Sequence, residues 1–494
     1  MRKLRHRLAA WLMSLLLLIS ACPGIALGEA KLLPQLAEWA MDEHPVRLKL
    51  SCAFESLMPF DEVRLQQLNS LISHISLSVG TQKQDGTAIN KMTVQVDGKT
   101  VLSVQSQEED VFRALYLSTV PDTVFQTQDG QSPFDLLFGE ENAAPTQLEG
   151  ELEGMGDVLN AMHWLEDAAA LVQELPPRMM DWAKESVIRT PIKNIGLARQ
   201  KITVVIPKGE CDKLKPILQE ACPMGWLNTF LSALVFEGKQ TFVFHLSEEG
   251  RVLKVSYQGN CGADEESMRQ VKINWTLRRD DEQVRDEFTL RAPAVKGGDK
   301  HVITYDRKLI VDENGTACEA GMKQEVTVKR DKTVSTVEAK LNETPVSGGS
   351  KLTGTVTAKI TPPDAEDAPP VRTLTLTPDV TVNSGKIGLQ GTLGVETKQG
   401  KRIQTKATLN VAVSEVKPFE KKTAEKTVDL DFVSFDAMAA LRDQAQKSVG
   451  KALLSPLVLL PREDTLYLSQ DLSDEAWQGI VNAAKTENET EEVE

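Results

Sequence analysis

Nothing in this chain announces a reaction. Beyond His6, the histidines are His44, His74, His163, His245 and His301, too scattered to form a His-x-x-x-His, His-Glu-x-x-His or Cys-x-x-Cys set. No zinc site is therefore expected. The nucleophile elbow Gly-x-Ser-x-Gly is absent, because Gly348-Gly349-Ser350-Lys351-Leu352 lacks the closing glycine. No Gly-x-x-x-x-Gly-Lys-Ser/Thr loop is there to cradle a phosphate. Aromatic residues make up only 5% of the chain, so its cores must depend on Val, Leu and Ile. Positive charge is in deficit: the formal net charge is −15, and no basic stripe offsets it. That balance argues against nucleic acid and anionic lipid surfaces as partners. Past the N-terminus, the most apolar run, Ala452–Leu460, is short and contains Ser455 and Pro456. A membrane-spanning helix needs about 20 apolar residues. The acidic stretch Asp312-Glu313-Asn314-Gly315 has the composition of a hairpin turn, which accounts for it without calcium.

The N-terminus holds a clear signal. Arg2, Lys3, Arg5 and Arg7 precede an apolar run from Leu8 to Ala21, and Pro23-Gly24 breaks it. Ala26 and Gly28 are the small residues a signal peptidase accepts, which places cleavage near Gly28 and the mature start near Glu29 or Lys31. A second cleavage stands beside it. Ile19-Ser20-Ala21-Cys22 fits a loose lipobox, which would leave Cys22 lipidated at the new N-terminus. Either way the chain is expected outside the cytoplasm, secreted or in the cell envelope, and on a membrane only if Cys22 carries lipid.

Five cysteines follow the leader: Cys52, Cys211, Cys222, Cys261 and Cys318. Their number is odd, so at least one thiol stays unpaired within the chain. Cys52 alternates with Leu48, Leu50 and Phe54 on one strand face and is expected to be a small buried hydrophobe. Cys211 with Cys222 and Cys261 with Cys318 are the pairs open to a disulfide, and spacing does not fix connectivity.

The fold class expected is α+β, mostly β: a long antiparallel meander with helices packed on one face. After a signal peptide at 1–28, residues 31–150 form a strand–helix–hairpin unit. Its helix carries Leu68, Leu71, Ile72 and Ile75 at i, i+3, i+4, i+7, and its hairpin turns at Asp97-Gly98. Residues 151–200 are a helical insert with an apolar stripe from Val158 to Val172. Residues 201–434 repeat the strand–helix pattern, with Leu214 and Leu218 on the helix, and continue into the meander. Val271-Lys-Ile273-Asn-Trp275-Thr-Leu277 alternates strictly, as a sheet with one buried face requires. Parallel pairing is not expected, since crossover connections are missing. Residues 435–485 are helical and open on Phe435-Asp436, an echo of Phe60-Asp61. An acidic tail at 486–494 is expected to be disordered.

Helices around Leu65–Ile75 and Val158–Val172, with the strands of Met92–Val104 and Gln240–Leu277, resemble the arrangement of LolA-type lipoprotein carriers and related lipid-binding envelope lipoproteins. The resemblance implies a curved open sheet with helices on its concave face and acyl chains bound between them. It is one of architecture, and fold alone does not carry function. The function expected is a non-catalytic binding or structural module of the cell envelope. Its partner would be an apolar ligand or an envelope protein, with no cofactor. Trp226, Phe230, Phe242 and Phe244 cluster where such a ligand would sit. The alternative is an extracytoplasmic enzyme whose catalytic residues converge only in the fold.

Overall fold

The alternation written along the chain becomes twenty strands among the described residues of the structure, a computed structural model. It describes residues 46–491 except 85–86, 110–111, 129–131, 139–171, 173–174, 180–186, 196–197, 222–234, 263–267, 280–282, 295–298, 313–314, 348, 364–367 and 384–385. Cys22, the leader, most of the Val158–Val172 stripe, and Trp226 with Phe230 lie outside the described residues. No helix among the described residues is long and apolar enough to cross a membrane. The described residues form two compact units, one of 46–138 and 376–491, the other of 172–375.

The first unit is built on β1 (Val46–Leu57), β2 (Ile75–Gln84), β3 (Thr87–Val96), β4 (Lys99–Glu108), β5 (Arg113–Leu117) and β6 (Thr123–Thr127). From the C-terminal part come β18 (Lys386–Gln399), β19 (Arg402–Glu415) and β20 (Lys426–Asp429). The ladder runs β18-β19-β1-β2-β3-β4-β5-β6 in antiparallel pairs, so the first strand pairs with the nineteenth. β20 then joins β6 in parallel, which corrects the expectation of antiparallel pairing throughout. The crossover is not a helix. Residues 416–425 lie extended over the sheet, held by side-chain amides. Gln105 Nε2 donates to Glu420 O at 3.0 Å, Gln107 Nε2 donates to Lys422 O at 2.9 Å, and Phe419 N donates to Gln82 Oε1 at 2.5 Å. The Phe419 ring lies where a Cβ on Gly80 would stand.

On the opposite face, α4 (Phe435–Val458) packs through Ala445 against Leu102, Val104, Leu115 and Phe125, together with α2 (Pro133–Phe138). α1 (Glu62–Ser73) brings Leu71 against Val96 and Leu457. Asp61 caps α1 by accepting from Arg64 N, which offsets one orphan donor of the first turn. α5 (Arg462–Ser469) and α6 (Asp474–Glu491) complete the unit. Two boundaries differ from expectation. α1 stops at Ser73, so Ile75 begins β2, where Ile75-Ser-Leu77-Ser-Val79 has the period of a strand. α6 continues to Glu491 through the stretch expected to be disordered, since Thr486–Glu491 carries Glu, Thr and Asn but no Gly or Pro to stop it. The Phe-Asp echo is one of sequence only: Asp61 caps α1, whereas Ser434 caps α4 and leaves Phe435 in solvent.

β1 pairs with β2 only as far as Leu50, and beyond that point α1 supplies the missing partner. Asn69 Oδ1 accepts from Phe54 N at 2.8 Å while Asn69 Nδ2 donates to Phe54 O at 2.6 Å, as a neighbouring strand would. Asn69→Ala is expected to cost about 1–2 kcal/mol, because both strand groups lose their partner. Urea denaturation would show it as a lower midpoint at unchanged slope. The same departure of β2 leaves Cys52 half-buried instead of fully buried.

The second unit is a meander of β7 (Val187–Ile195), β8 (Ala198–Ile206), β9 (Val235–Leu246), β10 (Val252–Gly262), β11 (Arg269–Arg279), β12 (Gln283–Ala292), β13 (Asp299–Asp312), β14 (Gly315–Val328), β15 (Asp331–Val346) and β16 (Gly349–Thr361). Each pairs antiparallel with the next. β17 (Val371–Asn383) follows, and the division between units falls within it. Neither ladder closes on itself among the described residues. β7 lies inside the stretch expected to be a helical insert; its β-branched Val187, Ile188, Thr190, Ile192 and Ile195 favour a strand. After β8 come a 3-10 turn (Lys208–Lys213) and α3 (Leu214–Ala221), whose Leu214 and Leu218 are buried.

No disulfide is made among the described residues. Cys261 on β10 and Cys318 on β14 are both thiols. Four strand spacings amount to about 19 Å along a sheet, where a bridge needs Cα atoms about 4.4–6.8 Å apart. Cys211 is a thiol as well, and Cys222 lies outside the described residues.

Candidate functional site

Register decides which side chains of the second unit share a face. Phe244 of β9 stands opposite Ile202 of β8 and Val255 of β10. Val255 faces Trp275, Trp275 faces Phe288, Phe288 faces Tyr305, and Tyr305 faces Met322. One cross-strand row is thus apolar or aromatic over seven strands, and every member is buried. Trp275 and Phe288 meet edge to face with ring centroids 5.4 Å apart, and Phe242 lies 4.8 Å from Tyr257 in the next row. In a chain with so few aromatics, this face gathers a large share of them.

The opposite face is charged. Arg285, Glu287, Asp306, Lys308, Glu319, Glu338 and Lys340 alternate with the buried positions and are exposed. Strands of a membrane barrel turn their apolar side chains outward to lipid; here the outward side chains of β12–β15 are suited to water.

Two polar clusters interrupt the inner face. At one end Gln240 is fully buried. Its Oε1 accepts from Tyr257 Oη at 2.7 Å, and its Nε2 donates to Glu237 O at 2.7 Å and to Asn260 O at 3.2 Å. Cys211 Sγ donates to Gly238 O at 2.8 Å beside it, and Cys261 contacts Tyr257. Burial pushes the Cys211, Cys261 and Tyr257 acids above their ordinary values. These thiols are therefore poor nucleophiles, since the thiolate is the reactive form. The second cluster adjoins the aromatic row. Asp286 of β12 and Arg307 of β13 stand directly opposite and form a buried ion pair, Arg307 Nη2 donating to Asp286 Oδ2.

One further constellation lies in the first unit. His74 Nδ1 is 2.6 Å from Asp97 Oδ1, and His74 Nε2 is 3.2 Å from Asp464 Oδ2; Ser70 Oγ donates to Asp464 Oδ1 at 2.5 Å. A serine triad needs imidazole between hydroxyl and carboxylate. Here a carboxylate stands between, and both ring nitrogens are engaged, so His74 has no nitrogen with which to take the Ser70 proton. The cluster ties the β3–β4 turn and α5 to the end of α1. The Asp97 hydrogen bond, with both carboxylate charges, raises the His74 pKa from its ordinary value of 6.5 against a smaller effect of burial. A raised folded-state pKa gives stability that is full below about 6.5 and is lost as pH rises through the folded value. The Tm difference between wild type and His74→Gln is therefore expected to be largest near pH 5.5, roughly, and to shrink toward pH 9 or so.

Of the residues that sequence marks for a ligand, Phe242 and Phe244 are placed together on the inner face. Sequence inspection misses the Asp286–Arg307 pair, although the signal is there: Asp286 shares its strand parity with Val284 and Phe288, and Arg307 shares its parity with Tyr305 and Leu309.

No protein-family model matches this chain, and no curated protein matches it. Among solved structures it is similar to a loop L8 deletion mutant of OmpT, an outer membrane protein of Vibrio cholerae, at 5% identity and a TM-score of 0.23, over 75% of this chain and 97% of that one. It is also similar to the CymD monoaromatic hydrocarbon channel, at 11% identity and a TM-score of 0.16, over 80% of this chain and 93% of that one.

Proposed function

We propose that this chain is an exported cell-envelope protein that holds an apolar, lipid-like ligand against the inner face of its second unit and catalyses no reaction. The observation that carries the reading is the buried aromatic row from Phe244 to Tyr305, with a few polar groups set beside it. Ligand sites for apolar molecules have that make-up: aromatic and aliphatic walls with a small number of placed polar atoms. The LolA-type resemblance points to the same class of ligand, and the basic, apolar and Pro-Gly pattern of the N-terminus supports export. Absence of catalysis fits the His74 geometry and the raised thiol pKa values. Titrating the mature protein with N-phenyl-naphthylamine, which brightens in apolar surroundings, tests the reading. Saturable enhancement is expected; fluorescence no higher than in buffer would contradict it.

A second reading, a protein-interaction module, is favoured by Phe432 and Phe435, which are 81% and 88% exposed. Exposed aromatics of this kind act as interface anchors.

A further inference from the structure

We propose that Trp275, Asp286 and Arg307 form a head-group subsite, and that the ligand is an uncharged amphiphile bearing hydroxyl groups, of the monoacylglycerol class. The proposal rests on the apolar-ligand reading and adds the chemistry of the head group.

Trp275 is 2% exposed, and its indole Nε1 donates to no partner among the described residues. Asp286 is 1% exposed; Oδ2 takes the Arg307 guanidinium, while Oδ1 accepts from no partner among the described residues. The two residues are diagonal neighbours, because Trp275 pairs with Phe288 and Leu277 pairs with Asp286. Diagonal positions stand about 7–8 Å apart, with Cβ atoms somewhat closer, a spacing that an aromatic side chain such as Trp275 reaches across. A donor and an acceptor both unmet inside a protein are rare and mark a place where something polar binds.

The pairing of one donor with one acceptor selects the group. A hydroxyl accepts from the indole N–H and donates to the carboxylate, so it meets both. A carboxylate or phosphate accepts only, and would stand against the negative charge of Asp286. An ammonium donates only, leaves Trp275 unmet and faces Arg307. Arg307 is followed along the same row by the small side chains Ala320 and Ala339, across β14 and β15. The rows on either side carry the larger Met322 with Val337 and Cys318 with Leu341. An acyl chain leaving the subsite would run along Phe288 and Phe244.

The test is displacement of N-phenyl-naphthylamine from the mature protein by monooleoylglycerol, its dimethyl ether, oleate and oleylamine. Monooleoylglycerol is expected to displace at a concentration at least about tenfold lower than the other three, because only it both donates and accepts. Trp275→Phe, which keeps a ring and removes the N–H, is expected to narrow that preference several-fold, with circular dichroism showing that the variant is folded. Equal displacement by all four would overturn the subsite and leave the apolar site standing, as would be the case if only water bridges the two atoms. A preference for oleate or oleylamine would overturn it too. Failure of the probe itself to bind would remove the apolar-ligand reading and this inference together.

Discussion

Arg307→Leu is expected to destabilise the protein by about 3–5 kcal/mol, while Asp286→Leu combined with Arg307→Leu is expected to cost far less. The pair is buried in an apolar face, so each charge has lost its hydration and is offset mainly by the other. Removing Arg307 leaves the Asp286 carboxylate without its counter-charge among Leu277, Phe288 and their neighbours. Removing both replaces two desolvated charges by groups the face already accommodates. The two single variants and the double, unfolded in urea, therefore should show a strongly non-additive cycle. Additive effects would mean that the two charges are not energetically coupled across β12 and β13.

Gly259→Ala is expected to cost about 3 kcal/mol, combining overpacking with loss of a buried hydrogen bond. A Cβ at Gly259 would fall on Gln240 Oε1 and come within 2.7 Å of Tyr257 Oη. Gln240 has no exposed surface to retreat into, and its amide is fixed by Glu237 O and Asn260 O. Displacing it takes from the Tyr257 hydroxyl the buried acceptor to which it donates. The control is Gly479→Ala on α6, where nothing lies within 4 Å. There, alanine should be neutral or stabilising by up to about 1 kcal/mol, since helix propensity alone acts. Thermal unfolding of the two variants side by side separates a collision specific to Gly259 from any general effect of glycine.

Much of the sheet was legible from alternation and turns. Asp97 and Gly98 take positive φ between β3 and β4, and Gly250 does so between β9 and β10, as the Asp-Gly and Glu-Gly pairs suggest. Trp275 lies on the buried face that its alternation assigns. Non-local pairing was not legible. Nothing local says that Val46–Leu57 pairs with Arg402–Glu415, or that β20 lies parallel to β6, because those contacts depend on chain closure and on the glutamine-held strap of 416–425. Ile75 misled for a physical reason: it satisfies the helical spacing with Leu68, Leu71 and Ile72 and also opens a strand alternation, and the cap at His74 decides between them. The Cys261–Cys318 pair failed because a disulfide needs proximity, and the meander separates the two strands that carry them. Of the site, Phe242 and Phe244 could be read from clustering. Asp286 and Arg307 could be placed on a buried face by parity, but only the β12–β13 register brings them opposite one another.

Whether the mature protein carries an apolar ligand is read by native mass spectrometry of protein isolated from the envelope of the cells that make it. A population heavier than the bare chain by the mass of one lipid-like molecule is expected, releasing that molecule on collisional activation. A chain that appears only at its bare mass, and that stays bare after incubation with monooleoylglycerol, would contradict it.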